Sequence, residues 1–239
     1  MPKPIRFEDL IVHEDDHLLL VNKPRDMASL ADKSHQHLQA LAEGYLPSLQ
    51  LAHRLDKQTS GILLMAKDPD TYRTLALQFQ HREVDKQYLA LATGVHHFEQ
   101  LRVELPLLVT TNKKVTVHKQ DGKAAETIFH TEERFRHYSL LRCHPITGRM
   151  HQIRVHLSAV NAPIAGDLLY GGQDILLSAI KRKYHFSSRK EERPLNHSFL
   201  LHAQRLRFRH PATQEPVTFE APLSNNFATV LKVLRKYDV

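Results

Sequence analysis

The chain has 239 residues, 41% hydrophobic and 25% charged, which is ordinary for a globular protein able to bury a sizeable core. No run approaches the ~18 unbroken apolar residues of a membrane-spanning helix. The first residues lack the apolar stretch of a secretory signal, and the single cysteine, Cys143, excludes an internal disulfide and fits a reducing cytoplasm. The formal net charge of +7, with 18 histidines counted neutral and a pI near 9.5, suits a polyanionic partner.

In chain order, residues 17–21 (His-Leu-Leu-Leu-Val) read as a buried strand ending at Lys23-Pro24, because the residue before proline leans towards extended backbone. Asp68-Pro69 is a helix start, with Asp as N-cap and Pro at the first helical position, and Tyr72, Leu75, Ala76 and Phe79 fall on one face. Residues 86–93 predict a strand with Tyr88, Ala90 and Ala92 on one side and Leu89 and Leu91 on the other. A helix is expected to open after Gly148, with Met150, Ile153 and Leu157 towards the core and His151, Arg154 and Ser158 on another face. Within an insertion at about 173–197, Lys181, Arg182, Lys183, Arg189, Lys190 and Arg193 face only Glu191 and Glu192; this run is either a solvated loop or a basic finger for phosphates. Arg205, Arg207 and Arg209 alternate with Leu206 and Phe208, as in a strand with one face on a core. Phe227, Val230, Leu231 and Leu234 mark a closing amphipathic helix. Strands and helices mingle without a βαβ rhythm, which predicts an α+β fold with a largely antiparallel sheet.

The stretch His53-Arg54-Leu55-Asp56-Lys57-Gln58-Thr59-Ser60-Gly61 puts one carboxylate among basic neighbours in a short loop, followed at once by the apolar run 62–66. Gly61 permits a sharp turn, Thr59 and Ser60 can bond the backbone locally, and a loop braced by a buried strand is where a scaffold holds a reactive side chain. Three further blocks follow: Lys86-Gln87-Tyr88, then residues 148–157 (Gly-Arg-Met-His-Gln-Ile-Arg-Val-His-Leu), then Leu201-His202-Ala203.

These blocks, in this order, resemble the RluA-type pseudouridine synthases, enzymes that isomerise uridine in structured RNA, and the likeness runs from about Val12 to Pro222. The resemblance implies a single catalytic domain over 1–239, with a long mixed, mostly antiparallel sheet and a central RNA-binding cleft flanked by helices and loops. It makes Asp56 the catalytic carboxylate, Arg154 the basic residue that pairs with it, and Tyr88 the aromatic beside the target base. Arg54 is the arginine that enters the RNA where the target nucleotide leaves the stack, and Leu201 is either an apolar wall beside Tyr88 or an ordinary core leucine. His53, Arg149 and His151 in the motif blocks, and Lys181, Arg182 and Lys183 in the insertion, are further RNA-binding candidates. Only about twenty residues precede Lys23-Pro24, so the S4 module of some members is not expected here. The segment 161–167 (Asn-Ala-Pro-Ile-Ala-Gly-Asp) departs from the family's usual Gly-His-Pro-Ile-Leu-Gly-Asp, with consequences expected for packing only.

One carboxylate suits isomerisation better than hydrolysis, because glycosidases commonly use two and water must here be kept out. No metal is expected: His151 and His156 lie five apart rather than four, with no acid between them. Without a Gly-rich phosphate loop or dinucleotide fingerprint, no cofactor is expected either. The reading is therefore a cofactor-independent, monomeric RNA pseudouridine synthase acting on tRNA, large-subunit rRNA or both. The alternatives are an RNA-binding or RNA-folding factor without essential catalysis, and a nucleoside hydrolase.

Overall fold

The computed structural model describes residues 5–31, 37–112, 114–182, 184, 191–196 and 198–239. The strands are β1 (Ile11–Glu14), β2 (Leu18–Lys23), β3 (Gln50–Leu51), β4 (Ser60–Ala66), β5 (Asp85–Thr93), β6 (Leu101–Glu104), β7 (Leu107–Val109), β8 (Val115–Val117), β9 (Glu126–Arg134), β10 (Tyr138–Pro145), β11 (Leu201–Arg209) and β12 (Pro216–Glu220). The helices are α1 (Leu38–Tyr45), α2 (Pro69–Gln80), α3 (Gln152–Ala159), α4 (Leu177–Ile180) and α5 (Asn225–Tyr237). The chain forms two compact units, Met1–Gln87 with His202–Leu223, and Tyr88–Leu201 with Ser224–Val239.

In the first unit β4 is the hub. All seven of its residues are buried, which is why the run 62–66 reads as continuously apolar rather than alternating. It pairs antiparallel with β2 and β3 and parallel with β11, which itself pairs antiparallel with β12. That parallel contact makes the sheet mixed. Helix α2 starts where the sequence predicts, with the Asp68 Oδ1 accepting from the amides of Asp70 (3.0 Å) and Thr71 (2.8 Å). Its buried side differs from the expected one: Thr71, Leu75 and Gln78 are inside, while Tyr72 is exposed. Gln78 earns its place by bracketing the Arg209 backbone, its Nε2 donating to the carbonyl (2.8 Å) and its Oε1 accepting from the amide (2.9 Å). A satisfied amide can be buried where an unpaired one cannot.

The second unit orders its strands β5-β10-β9-β6, all antiparallel, beside a β7–β8 hairpin. Ala90, Phe129, Leu141, Cys143, Ile153, Leu157 and Leu201 belong to one core cluster. Helix α5 buries Phe227, Val230, Leu231 and Leu234 as predicted, each worth about 1.5–3 kcal/mol before the cost of ordering. The fold is α+β, with a large, mixed, mostly antiparallel sheet. Helix α3 opens three residues later than expected, at Gln152, with His151 as a left-handed N-cap (φ 53°). The preceding turn is tied by Gln152 itself, whose Oε1 accepts from the Thr147 hydroxyl (2.6 Å) and the Arg149 amide (3.0 Å). Residues 152–157 are all buried, so Arg154 is not on an outer face.

Candidate active site

In the first unit, the loop carrying Asp56 is held by its neighbours one residue at a time. His53 is half-buried; its Nε2 accepts from the Leu64 amide of β4 (3.1 Å), and its ring lies 4.9 Å from that of Phe79. Burial, with the Lys86 ammonium adding repulsion, pushes its pKa down to about 3, so the ring is a neutral acceptor. Leu55 is gripped on both sides by one hydroxyl: Ser29 Oγ donates to its carbonyl (2.9 Å) and accepts from its amide (3.1 Å). The Asp56 carbonyl accepts from the Thr59 amide (3.1 Å), closing the turn. The Ser60 hydroxyl meets His202 Nδ1 at 2.9 Å, and His202 Nε2 reaches the Ala221 carbonyl at 3.2 Å. Gly61 sits at φ 117° with the Ala203 backbone so close that a Cβ would fall 2.1 Å from its carbonyl oxygen. Only glycine fits there.

The strongest brace was not visible as such in the sequence. Lys23, at the end of β2, is fully buried, and its Nζ donates to the carbonyls of Met27 (2.8 Å), Pro24 (3.0 Å) and Lys57 (3.1 Å). Lys57 directly follows Asp56, so this ammonium anchors the loop that carries Asp56. Burial lowers its pKa to about 7, against the attraction of Asp56 and Asp26. Asp56 thus has a buried cation within electrostatic reach in its own unit. Asp56 is half-buried and Arg54 exposed.

In the second unit, Tyr88 is half-buried and packs against the core cluster containing Leu201, which is 5% exposed. Arg149 is exposed, with its Nε donating to the Ala124 carbonyl (3.1 Å). His151 Nδ1 meets the Tyr170 hydroxyl at 2.8 Å. Arg154 forks onto Asp167, Nε to Oδ2 at 2.7 Å and Nη2 to Oδ1 at 2.8 Å, with its Cζ over the rings of Phe199 (4.3 Å) and Tyr170 (4.8 Å). The segment 161–167, expected to matter for packing only, therefore supplies an ionic partner to a candidate site residue. Lys181 lies over the ring of Tyr237 (5.0 Å) and Arg182 is exposed; Lys183, Arg189 and Lys190 lie outside the described residues. Among the described residues no cluster of His, Cys, Asp and Glu could hold a metal, and no helix is long and apolar enough to cross a membrane.

Sequence reasoning missed Lys23, Ser29, Asp167, Tyr170 and Phe199. The available signals were the Lys-Pro at the strand end and the Gly-Asp that closes the departing segment.

An α+β chain with a net positive charge and a rigidly braced aspartate has the make-up of an enzyme working on a polyanion. The sequence model of the family described as RNA pseudouridylate synthase matches residues 17–159. The ribosomal large subunit pseudouridine synthases C of Salmonella typhimurium and Escherichia coli (strain K12) are each 37% identical over 243 residues, covering 98% of this chain and 73% of theirs. Two solved human structures, RNA pseudouridylate synthase domain containing 4 and domain containing 1, each superpose with a TM-score of 0.70. The first is 25% identical and covers 96% of this chain and 95% of its own; the second is 26% identical and covers 99% of both. The chain belongs to the RNA pseudouridylate synthase family and is an isomerase that forms pseudouridine in RNA.

Proposed function

We propose that the chain isomerises uridines of large-subunit ribosomal RNA, with Asp56 as the reacting carboxylate, and that it works in the cytoplasm as a monomer without a cofactor. The rRNA target is supported by the names of the relatives, which are 37% identical over nearly all of this chain. The observation that carries the role of Asp56 is the density of bracing on either side of it: Ser29 on Leu55, Lys23 on Lys57, and the turn closed by Thr59. Such a frame holds a carboxylate in one place, which is what a preorganised reacting group needs.

The reaction breaks N1–C1′, turns the uracil and forms C5–C1′; C5 loses its proton and N1 gains one, so nothing is consumed. As N1–C1′ breaks, the sugar becomes electron-poor. A carboxylate there stabilises that charge, attacks C1′, or removes a sugar proton. Reaching C1′ requires the nucleotide to leave its stack, which is least costly in loops. Arg54 takes the space it vacates, Tyr88 offers a ring for the base to stack on, and Arg154 supplies preorganised N–H donors. Arg149, His151 and the residues near Lys181 add affinity through phosphates.

The test is purified protein with large-subunit rRNA and, separately, tRNA, followed by chemical mapping of pseudouridine. Wild type is expected to modify discrete uridines of the rRNA, and Asp56→Asn to bind the RNA without modifying it. Equal activity of the two removes Asp56 from the mechanism, and modification of tRNA alone replaces the proposed target. A release of free uracil would indicate hydrolysis instead.

A further inference from the structure

Arg154 is surrounded by groups that act on the arginine itself. Only 6% of it is exposed, and the Asp167 carboxylate that it grips is 1% exposed. The fork uses the Nε and Nη2 edge, and two aromatic rings lie within 5 Å of Cζ. A flexible side chain with several rotatable bonds is thereby left a single orientation.

We propose that Asp167, Tyr170 and Phe199 are positioning residues that set the direction of the Arg154 guanidinium for the isomerisation. The inference rests on the reading above in which Arg154 serves the reaction.

The turn from Asp167 to Gly171 is built for this. Gly166, at φ 82°, packs so tightly on the Ser198 carbonyl that a Cβ would fall 2.7 Å from its oxygen, which fixes where Asp167 begins. The Asp167 amide then donates to Ile164, and its carbonyl accepts from Tyr170 (3.0 Å) and Gly172 (2.9 Å). Asp167 and Tyr170 thus come to Arg154 from one rigid turn. Tyr170 acts a second time through its hydroxyl, which accepts from the Val115 amide (3.0 Å) and meets His151 Nδ1 (2.8 Å). His151 is the left-handed N-cap of α3, the helix that carries Arg154. One phenol therefore touches the guanidinium by its ring and the start of its helix by its oxygen.

Direction is what this arrangement controls. The Asp167 charge cancels that of Arg154, so the pair acts at a distance as a set of aimed N–H donors rather than as a net cation. Donors aimed in advance need no reorganisation when charge develops in the substrate.

The test separates rate from affinity. Asp167→Asn keeps the shape and removes the charge of the fork. It is expected to lower the single-turnover rate of pseudouridine formation about 10²-fold, the cost of a misplaced group, while the RNA Kd changes little. Tyr170→Phe keeps the ring and loses the hydroxyl, so its loss of rate should be smaller than that of Tyr170→Leu. A folded Asp167→Asn with wild-type rate overturns the proposal, and so does a parallel loss of rate and affinity. Should Asp167→Asn fail to fold, Phe199→Leu decides in its place: a slower rate at unchanged Kd supports the proposal and an unchanged rate ends it. Hydrogen exchange of the Arg154 Nε–H, read by NMR of the whole protein, needs no activity. Slow exchange in wild type and fast exchange in the folded variant is expected, and fast exchange in wild type overturns the clamp. A wild type with a protected Nε–H that modifies no RNA would instead count against the functional reading alone.

Discussion

Replacing Lys23 by methionine sets burial directly against hydrogen bonding. The side chain is fully buried, and its pKa falls from 10.5 in the unfolded chain to about 7 in the folded one, chiefly because burial disfavours the ammonium. That difference amounts to about 5 kcal/mol. Between pH 7 and 10.5 the unfolded chain holds a proton that the folded chain has released, so stability rises with pH by about 1.4 kcal/mol per unit, and below pH 7 this contribution is flat. The Lys23→Met variant loses the slope. At neutral pH it also escapes the burial cost but leaves three carbonyls without their donor, each worth roughly 1 kcal/mol, so the net change in stability should stay within about 2 kcal/mol. Urea unfolding of both proteins at about pH 7 and about pH 9 reads the effect, and taking the difference cancels Lys86, whose pKa burial also lowers. Wild type should gain about 2–3 kcal/mol on the variant over that range. A constant difference would show that the carbonyls and the two aspartates outweigh burial and keep Lys23 charged, and the reasoning would fail. The rate of pseudouridine formation should drop in the variant, since the Lys57 carbonyl beside Asp56 loses its anchor.

His202 should make the protein acid-sensitive. Burial pushes its pKa down to about 4 against 6.5 unfolded, so the unfolded chain takes the proton first, and stability is lost as pH falls from about 6.5 to about 4, by up to roughly 3 kcal/mol. Thermal unfolding midpoints of wild type and His202→Asn across that range check this; parallel curves refute it. Gly61→Ala is expected to cost several kcal/mol, since its Cβ meets backbone that cannot move aside, and soluble yield and unfolding temperature will show it. Arg182→Glu should weaken RNA binding and lower the slope of log affinity against log salt by at least about 1, as measured by titration at several salt concentrations. A slope equal to wild type would remove the residue from the RNA contact.

Local pattern made much of the fold legible, and the exceptions share one cause. The buried run of β4, the Asp68-Pro69 start of α2 and the apolar face of α5 are all properties of short windows, where periodicity and capping act. The misjudged face of α2 came from counting Tyr72 as apolar and Gln78 as polar. Gln78 is inside because a backbone segment 131 residues away accepts its amide. Lys23, Ser29 and Asp167 were missed for the same reason. Each is a buried polar side chain with a partner distant in sequence, 34, 26 and 13 residues away, although Lys23 also bonds the nearby carbonyls of Pro24 and Met27.

The nine-residue motif can be divided on the same basis. His53 holds β4, Leu55 is clasped by Ser29, Thr59 closes the turn, Ser60 is tied to His202, and Gly61 admits the Ala203 backbone. These five positions are accounted for by scaffolding, so their match to the family speaks for the shape of the loop. Lys57 enters the scaffold through its carbonyl, which accepts from Lys23 Nζ. The remaining four are Arg54, Lys57 and Gln58, which are exposed, and Asp56, which is half-buried. Among those four, only Asp56 offers a carboxylate, and it sits at the point where the bracing converges. Chemistry is therefore read from what the scaffold leaves over, and that remainder holds a single group able to stabilise or attack an electron-poor sugar.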